Sequence, residues 1–276
     1  LQAHMDDIAR MGAERERARS ELAVASRIQL SALPTVRPPF SGCDDFGLSA
    51  SMHPAKEVGG DFYDFFLIDQ DHCGVVIADV SGKGVPAALF MMRVKALLNQ
   101  LLREDLSPDQ VLARANDGLC EDNEAGMFVT VWLGVLDLRS GKLVYANGGH
   151  NPPLYRHADG SVEWMRDRSG LLLGSFEGVP YRVFERTMIR GDSLILYTDG
   201  VTEAMDASDH CYGDERLFQL VERECDGYPA SVSGVIEEDV RAFAEGADQA
   251  DDITLLVLRY DGQENGPAAS AAGNRG

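Results

Sequence analysis

Acidic residues stand at the ends of apolar runs with unusual regularity in this 276-residue chain. Asp61 and Asp64 lie in VGGDFYDFF (58–66), where two glycines let the backbone come close to a neighbour and apolar side chains surround the acids. Asp79 closes the run CGVVIADV (73–80) and leads into SGKG (81–84). Asp199 closes SLILYTDG (193–200), and Asp251 and Asp252 open DDITLLVL (251–258). Any one of these acids, taken singly, reads as a turn or cap residue. Several converging on one rim would repel one another, and a bound divalent cation is the simplest neutraliser. An all-oxygen, histidine-poor set suits Mg²⁺ or Mn²⁺ rather than Zn²⁺. The chemistry to expect is metal-assisted hydrolysis of an anionic group, a phosphate ester first among them. Two cations bind phosphoryl oxygens and lower the pKa of a bridging water, so no protein nucleophile is required. None stands out: G-x-S-x-G is absent, no cysteine lies in a phosphate-binding loop, and SGKG lacks the spacing of a P-loop.

The elements that must position these acids follow from periodicity. Short alternating or apolar runs at 46–52, 62–68, 73–80, 128–138, 142–147, 183–189, 193–198 and 252–260 read as strands, several joined by tight turns such as Arg139-Ser140-Gly141 and Asp159-Gly160. Helices are expected at about 85–104, 108–121 after Ser107-Pro108, 214–225 and 230–246. Hairpins dominate and helices come in pairs, which points to an α+β sandwich of antiparallel sheets covered by helices rather than a doubly wound parallel sheet. Met91 and Met92 fall within an apolar helix and read as core.

Residues 1–33 contain no proline and place Leu1, Ile8, Met11, Ala18, Leu22 and Ala25 on a helical seam, a marginal coiled coil weakened by His4, Arg15 and Gln29 and shifted by Ile28. Pro34, Pro38 and Pro39 end it. The helix is either packed on its own domain or continues from an upstream domain and carries a signal, because a chain that begins inside a heptad pattern looks like a piece of a longer one. The seam implies a homodimer. The domain proper is expected over 34–260, with a disordered Gly- and Ala-rich tail over 261–276.

Composition narrows the partners. The charge of 25 − 45 = −20 sets up a field that repels phosphate backbones and anionic lipid, so nucleic acid and membrane surfaces are not expected as partners. No apolar run reaches the roughly 18 residues of a spanning helix, which predicts a cytoplasmic domain, either free or as part of a membrane-anchored protein. The five cysteines (Cys43, Cys73, Cys120, Cys211, Cys225) are odd in number and show no C-x-x-C spacing, so they read as reduced.

In order and wording, EVGGDFYDF (57–65), ADVSGKGVPAAL (78–89), ANGGHNPP (146–153), LYTDGVTEA (196–204) and DDITLL (251–256) resemble the metal-dependent serine/threonine phosphatases of the protein phosphatase 2C class, in their bacterial RsbU/SpoIIE-like branch. The resemblance covers about 44–260. It implies two antiparallel sheets flanked by helix pairs, with two Mn²⁺ or Mg²⁺ ions at one end of the sandwich. By motif position Asp79 would bridge both metals, with the Val80 carbonyl as a further ligand. Asp61 would lie beside one metal, Asp199 and Asp251 beside the other, and Asp64 and Asp252 behind them. Animal members carry an arginine where Lys56 stands, which keeps the charge but not the bidentate fork. They carry a histidine where Ser81 stands, so the proton for the leaving group must come from elsewhere. His150 is either its replacement or a turn-stabilising residue.

The activity implied is that of a phosphoserine/phosphothreonine protein phosphatase acting on a small phosphorylated regulator of the anti-sigma-factor-antagonist (STAS) type in a partner-switching pathway. An upstream sensor domain would act through the N-terminal helix. Two alternatives stand beside it: a catalytically inert phosphatase-like binding module, and a metal hydrolase of small phosphoesters.

Overall fold

The computed structural model describes residues 2–35 and 46–262, the first eight of them as backbone only. The order is α1 (Gln2–Ala32), β1 (Phe46–His53), β2 (Phe62–Leu67), β3 (His72–Val80), α2 (Val85–Leu101), α3 (Pro108–Cys120), β4 (Val129–Asp137), β5 (Lys142–Gly148), β6 (Leu154–Arg156), β7 (Val162–Trp164), β8 (Phe184–Thr187), β9 (Ser193–Tyr197), α4 (Asp199–Thr202), α5 (Asp214–Glu224), α6 (Pro229–Phe243) and β10 (Ile253–Tyr260). Two five-stranded sheets form, in the orders β1-β10-β9-β6-β7 and β2-β3-β4-β5-β8. Every strand pair is antiparallel. Helices α2 and α3 pack on the second sheet, and α5 and α6 on the first.

This layering explains why the central strands lack clean alternation. In β3 the neighbouring residues Val75, Val76, Ile77 and Ala78 are all at most 1% exposed, because one face meets the other sheet and the opposite face meets helices. One core fills the space between the sheets and beneath α2 and α3; a second lies beneath α5 and α6. Helix α2 buries Ala87, Phe90, Met91, Val94, Leu98 and Leu101, the i, i+3, i+4, i+7 pattern that sets one face on the sheet. Helix α3 starts at Ser107, whose N–H donates to Gln110 Oε1 at 3.1 Å.

The eight longer strands expected from periodicity are present, and the sandwich is the architecture expected. Strands β6 and β7, three residues each around the Asp159-Gly160 turn, are too short to carry a period. The last turns of the N-terminal helix lie against the domain, one of the two arrangements expected for it. Met11, Ala18 and Ala25 of the anticipated seam are exposed, while Leu22, Ser26, Gln29 and Leu33 face the domain. Gln29, a weak point of the seam, is the most fully buried of the described side chains of α1. Leu1 and the side chain of Ile8, the prolines Pro38 and Pro39, Cys43 and the tail beyond Gly262 lie outside the described residues. The four described cysteines are free thiols. Among the described residues no helix is long and apolar enough to cross a membrane.

Candidate metal centre

The sheets meet at one end through their own strand termini. Thr198, after β9, donates its N–H to the Thr254 carbonyl at 3.1 Å, and Thr254 in β10 donates its N–H back to Thr198 Oγ1 at 3.1 Å. Both threonine hydroxyls then donate to a single oxygen of the opposite sheet, Asp61 Oδ2, at 2.6 and 2.8 Å. Asp61 precedes β2 and is 2% exposed. On the neighbouring strand β3, Asp79 carries a second carboxyl group whose charge acts on Asp61.

Asp79, Asp199 and Asp251 stand partly open on the rim. Burial, and then the charge of Asp199, pushes the Asp79 carboxyl up to about 7. Burial, with Glu203 and Asp251 nearby, pushes Asp199 up to about 6. Asp61 is raised well above the usual carboxylate range by burial and by Asp79. Each shift comes first from burial and then from neighbouring carboxylates. Among the described residues no three acid, imidazole or thiol side chains are already drawn together as a closed ligand set. The donors on offer are oxygens, from Asp61, Asp79, Asp199, Asp251 and the Val80 carbonyl, and this fits Mg²⁺ or Mn²⁺. Gly60 is required at the rim: a Cβ there would stand 2.9 Å from the Val80 carbonyl oxygen.

The other expected site residues have different surroundings. Asp252 is a clamp for the loop before Asp61, its Oδ1 accepting Ala55 N–H at 2.8 Å and its Oδ2 accepting Gly60 N–H at 2.6 Å. Asp64 points to α2, where Lys95 and Asn99 both hold its Oδ2. His150 is buried with both ring nitrogens engaged, by Thr130 Oγ1 at 2.9 Å and the Tyr197 carbonyl at 3.1 Å. Burial pulls its pKa down to about 4, and Asn147 Oδ1 accepts the His150 backbone N–H, which is the geometry of a turn-stabilising residue. Lys56 is exposed beside Gly84. Ser81 Oγ accepts the Phe128 N–H at 3.0 Å.

Four contributors escaped the sequence reading. Thr198 and Thr254 adjoin the acids of LYTDG and DDIT, and their hydroxyl pattern was the available signal. Lys83, in the SGKG turn, pairs with Asp251 at 2.8 Å. Gln29 reaches the VGGD loop from α1, with no local signal for it. A cavity of about 280 Å³ on the outer face of the first sheet shares Gly200 and Ala250 with the loops of Asp199 and Asp251 but holds none of the four aspartates.

The family model for stage II sporulation protein E (SpoIIE) matches residues 69–261. Phosphoserine phosphatase RsbU of Bacillus subtilis strain 168 is 29% identical over 241 residues, 87% of this chain and 70% of RsbU. The chain spans as little as 38% of longer curated relatives. The solved SiaA-PP2C domain of Pseudomonas aeruginosa superposes with a TM-score of 0.77 at 22% identity, over 90% of this chain and 99% of that one. The catalytic domain of the serine/threonine phosphatase PstP, solved with two manganese ions, shares the fold at a TM-score of 0.55 and 14% identity, over 78% and 98% of the two chains. A family match across most of the sandwich, on a fold shared with phosphatases of this type, means that the chain belongs to the SpoIIE family and has the PP2C fold.

Proposed function

We propose that this chain is a metal-dependent phosphoserine/phosphothreonine protein phosphatase whose substrate is a small phosphorylated regulatory protein of the STAS type. What supports the reading is that Asp61 and Asp79 from one sheet and Asp199 and Asp251 from the other stand at the same end of the sandwich, near enough for their charges to act on one another. Asp61, Asp79 and the Val80 carbonyl on one sheet, and Asp199 and Asp251 on the other, would hold two Mn²⁺ or Mg²⁺ ions. Bound there, such ions polarise phosphoryl oxygens and lower the pKa of water enough to make it the nucleophile.

The chain's own residues do the rest. Thr198 and Thr254 fix the rotamer of Asp61, and Asp252 fixes the loop that carries it. Lys56 supplies positive charge at the open face for the phosphate. Ser81 and His150 are committed to backbone and core contacts, so the serine or threonine leaving group takes its proton from solvent. The four core aspartates are all present, which weighs against an inert binding module. Helix α1 supplies the input from an upstream sensor, because Gln29 touches the loop next to Asp61.

The test is hydrolysis of an aryl phosphate and of a phosphoserine peptide with Mn²⁺, Mg²⁺ or EDTA, by the wild type and Asp79→Ala in parallel. Turnover that needs metal and disappears in the variant is the expected result. A folded wild type that binds metal yet turns over neither substrate, even with an activating partner added, would overturn it in favour of a binding module.

A further inference from the structure

Lys83 occupies a singular place on the rim. Its ammonium lies 2.8 Å from Asp251 Oδ2 and 2.5 Å from the Ala250 carbonyl oxygen, so a cation of the chain itself stands beside one of the four aspartates. Asp199 and Asp252 add to the negative field at that ammonium. The pair is open to water, the two side chains being 36% and 32% exposed, and an ion pair so solvated is easily exchanged. The turn that carries it is unpacked. Gly82 and Gly84, at φ 82° and 77°, flank Lys83; a Cβ on Gly82 would meet nothing within 4 Å, and one on Gly84 would meet only Lys56 Cδ, at 4.0 Å. Lysine carries its charge on a flexible four-carbon stem, so its ammonium can be re-aimed with little backbone movement.

Lys83 holds Asp251 through Oδ2, and an ammonium there opposes a divalent cation on the same carboxylate, since two positive charges a few ångströms apart repel. We propose that Lys83 is an exchanging counter-ion: it neutralises Asp251 in the metal-free protein and passes to the phosphoryl oxygens of the substrate when Asp251 takes up a metal. There it joins Lys56, and two flexible ammonium groups supply the charge that one arginine fork would otherwise bring. The proposal rests on the metal-phosphatase reading above.

The experiment compares wild type, Lys83→Met and Lys83→Arg, with thermal melts as the folding control. Titration calorimetry of Mn²⁺ into each metal-free protein gives the first readout, and inhibition by inorganic phosphate at saturating Mn²⁺ gives the second. Lys83→Met should bind Mn²⁺ roughly three-fold or more tightly, because its internal competitor is gone, and bind phosphate roughly ten-fold more weakly. Lys83→Arg should keep phosphate affinity. Mn²⁺ affinity that is unchanged or weaker in Lys83→Met, or phosphate inhibition that does not move, overturns the proposal and leaves Lys83 a surface partner of Asp251. Failure of the wild type to bind Mn²⁺ at all overturns the metal-phosphatase reading together with this one.

Discussion

Gln29 and Gly59 hold each other through a single amide. Gln29 Nε2 donates to the Gly59 carbonyl at 2.6 Å, and the Gly59 N–H donates back to Gln29 Oε1 at 3.1 Å. The next residue, Gly60, is held by Asp252, and Asp61 follows. One side chain of α1 is thus two residues from a candidate metal ligand. Gln29→Ala leaves a buried N–H and carbonyl without partners, at a local cost of about 1–3 kcal/mol. Amide exchange across 55–64 should accelerate while exchange in β3 and β4 stays as in the wild type. Unchanged exchange in the loop would show that α1 does not brace it.

The two threonine hydroxyls on Asp61 Oδ2 should matter for metal binding. Thr198→Val or Thr254→Val keeps the side-chain volume and removes one charge-assisted hydrogen bond from the carboxylate, and Thr198→Val also leaves the buried Thr254 N–H without its acceptor, at a further cost of about 1–3 kcal/mol in stability. Such supporting contacts are typically worth roughly 10- to 100-fold in metal affinity. Mn²⁺ calorimetry should report a loss in that range for each variant, and equal affinity in variant and wild type would count against Asp61 as a ligand.

Asp64 and Asp61 should separate cleanly in the same assay. Asp64 is 5% exposed and its charge is balanced by Lys95 from α2. Lys95→Met strands a buried carboxylate and should cost about 3–5 kcal/mol of stability, whereas Asp64→Asn with Lys95→Met together should recover much of it. Mn²⁺ affinity of Asp64→Asn should stay within a few-fold of wild type. A collapse of metal binding in that variant would return Asp64 to the metal centre.

His150 gives the protein an acid limb. Its native pKa of about 4 lies below the ordinary 6.5, so between these values the unfolded chain binds a proton that the native chain refuses. Its contribution to stability is therefore whole above about pH 6.5 and is lost as pH falls toward 4, by up to about 3 kcal/mol. His53, whose Nε2 lies 3.6 Å from Glu237 Oε1, is shifted the other way, above its ordinary value, by that carboxylate. Imidazole NMR should show His150 still neutral at pH 5 and His53 already protonated at pH 6. A His150 that titrates near 6.5 would mean that the ring is open to solvent and available as an acid.

Much of this protein was determined by local pattern. Apolar runs of strand length broken by Gly-containing turns specify the antiparallel sandwich, and acids at the tips of those runs mark the rim, because a strand's last residue is the one free to leave the pleat. Asp61, Asp79, Asp199 and Asp251 were legible as candidates on that basis, and Lys56 only through the resemblance to the phosphatase family. What the tertiary structure alone decided is which acids were already engaged. Asp64 is taken by a lysine 31 residues away on one face of α2, and Asp252 by a backbone amide 192 residues away. Gln29, a flaw in a heptad, is a buried contact to a loop 30 residues on, and His150 is closed off by Thr130 and the Tyr197 carbonyl. Partners of this kind are chosen by how two sheets and a helix pack, and hydrogen bonds between elements far apart in the chain leave no period in the sequence between them.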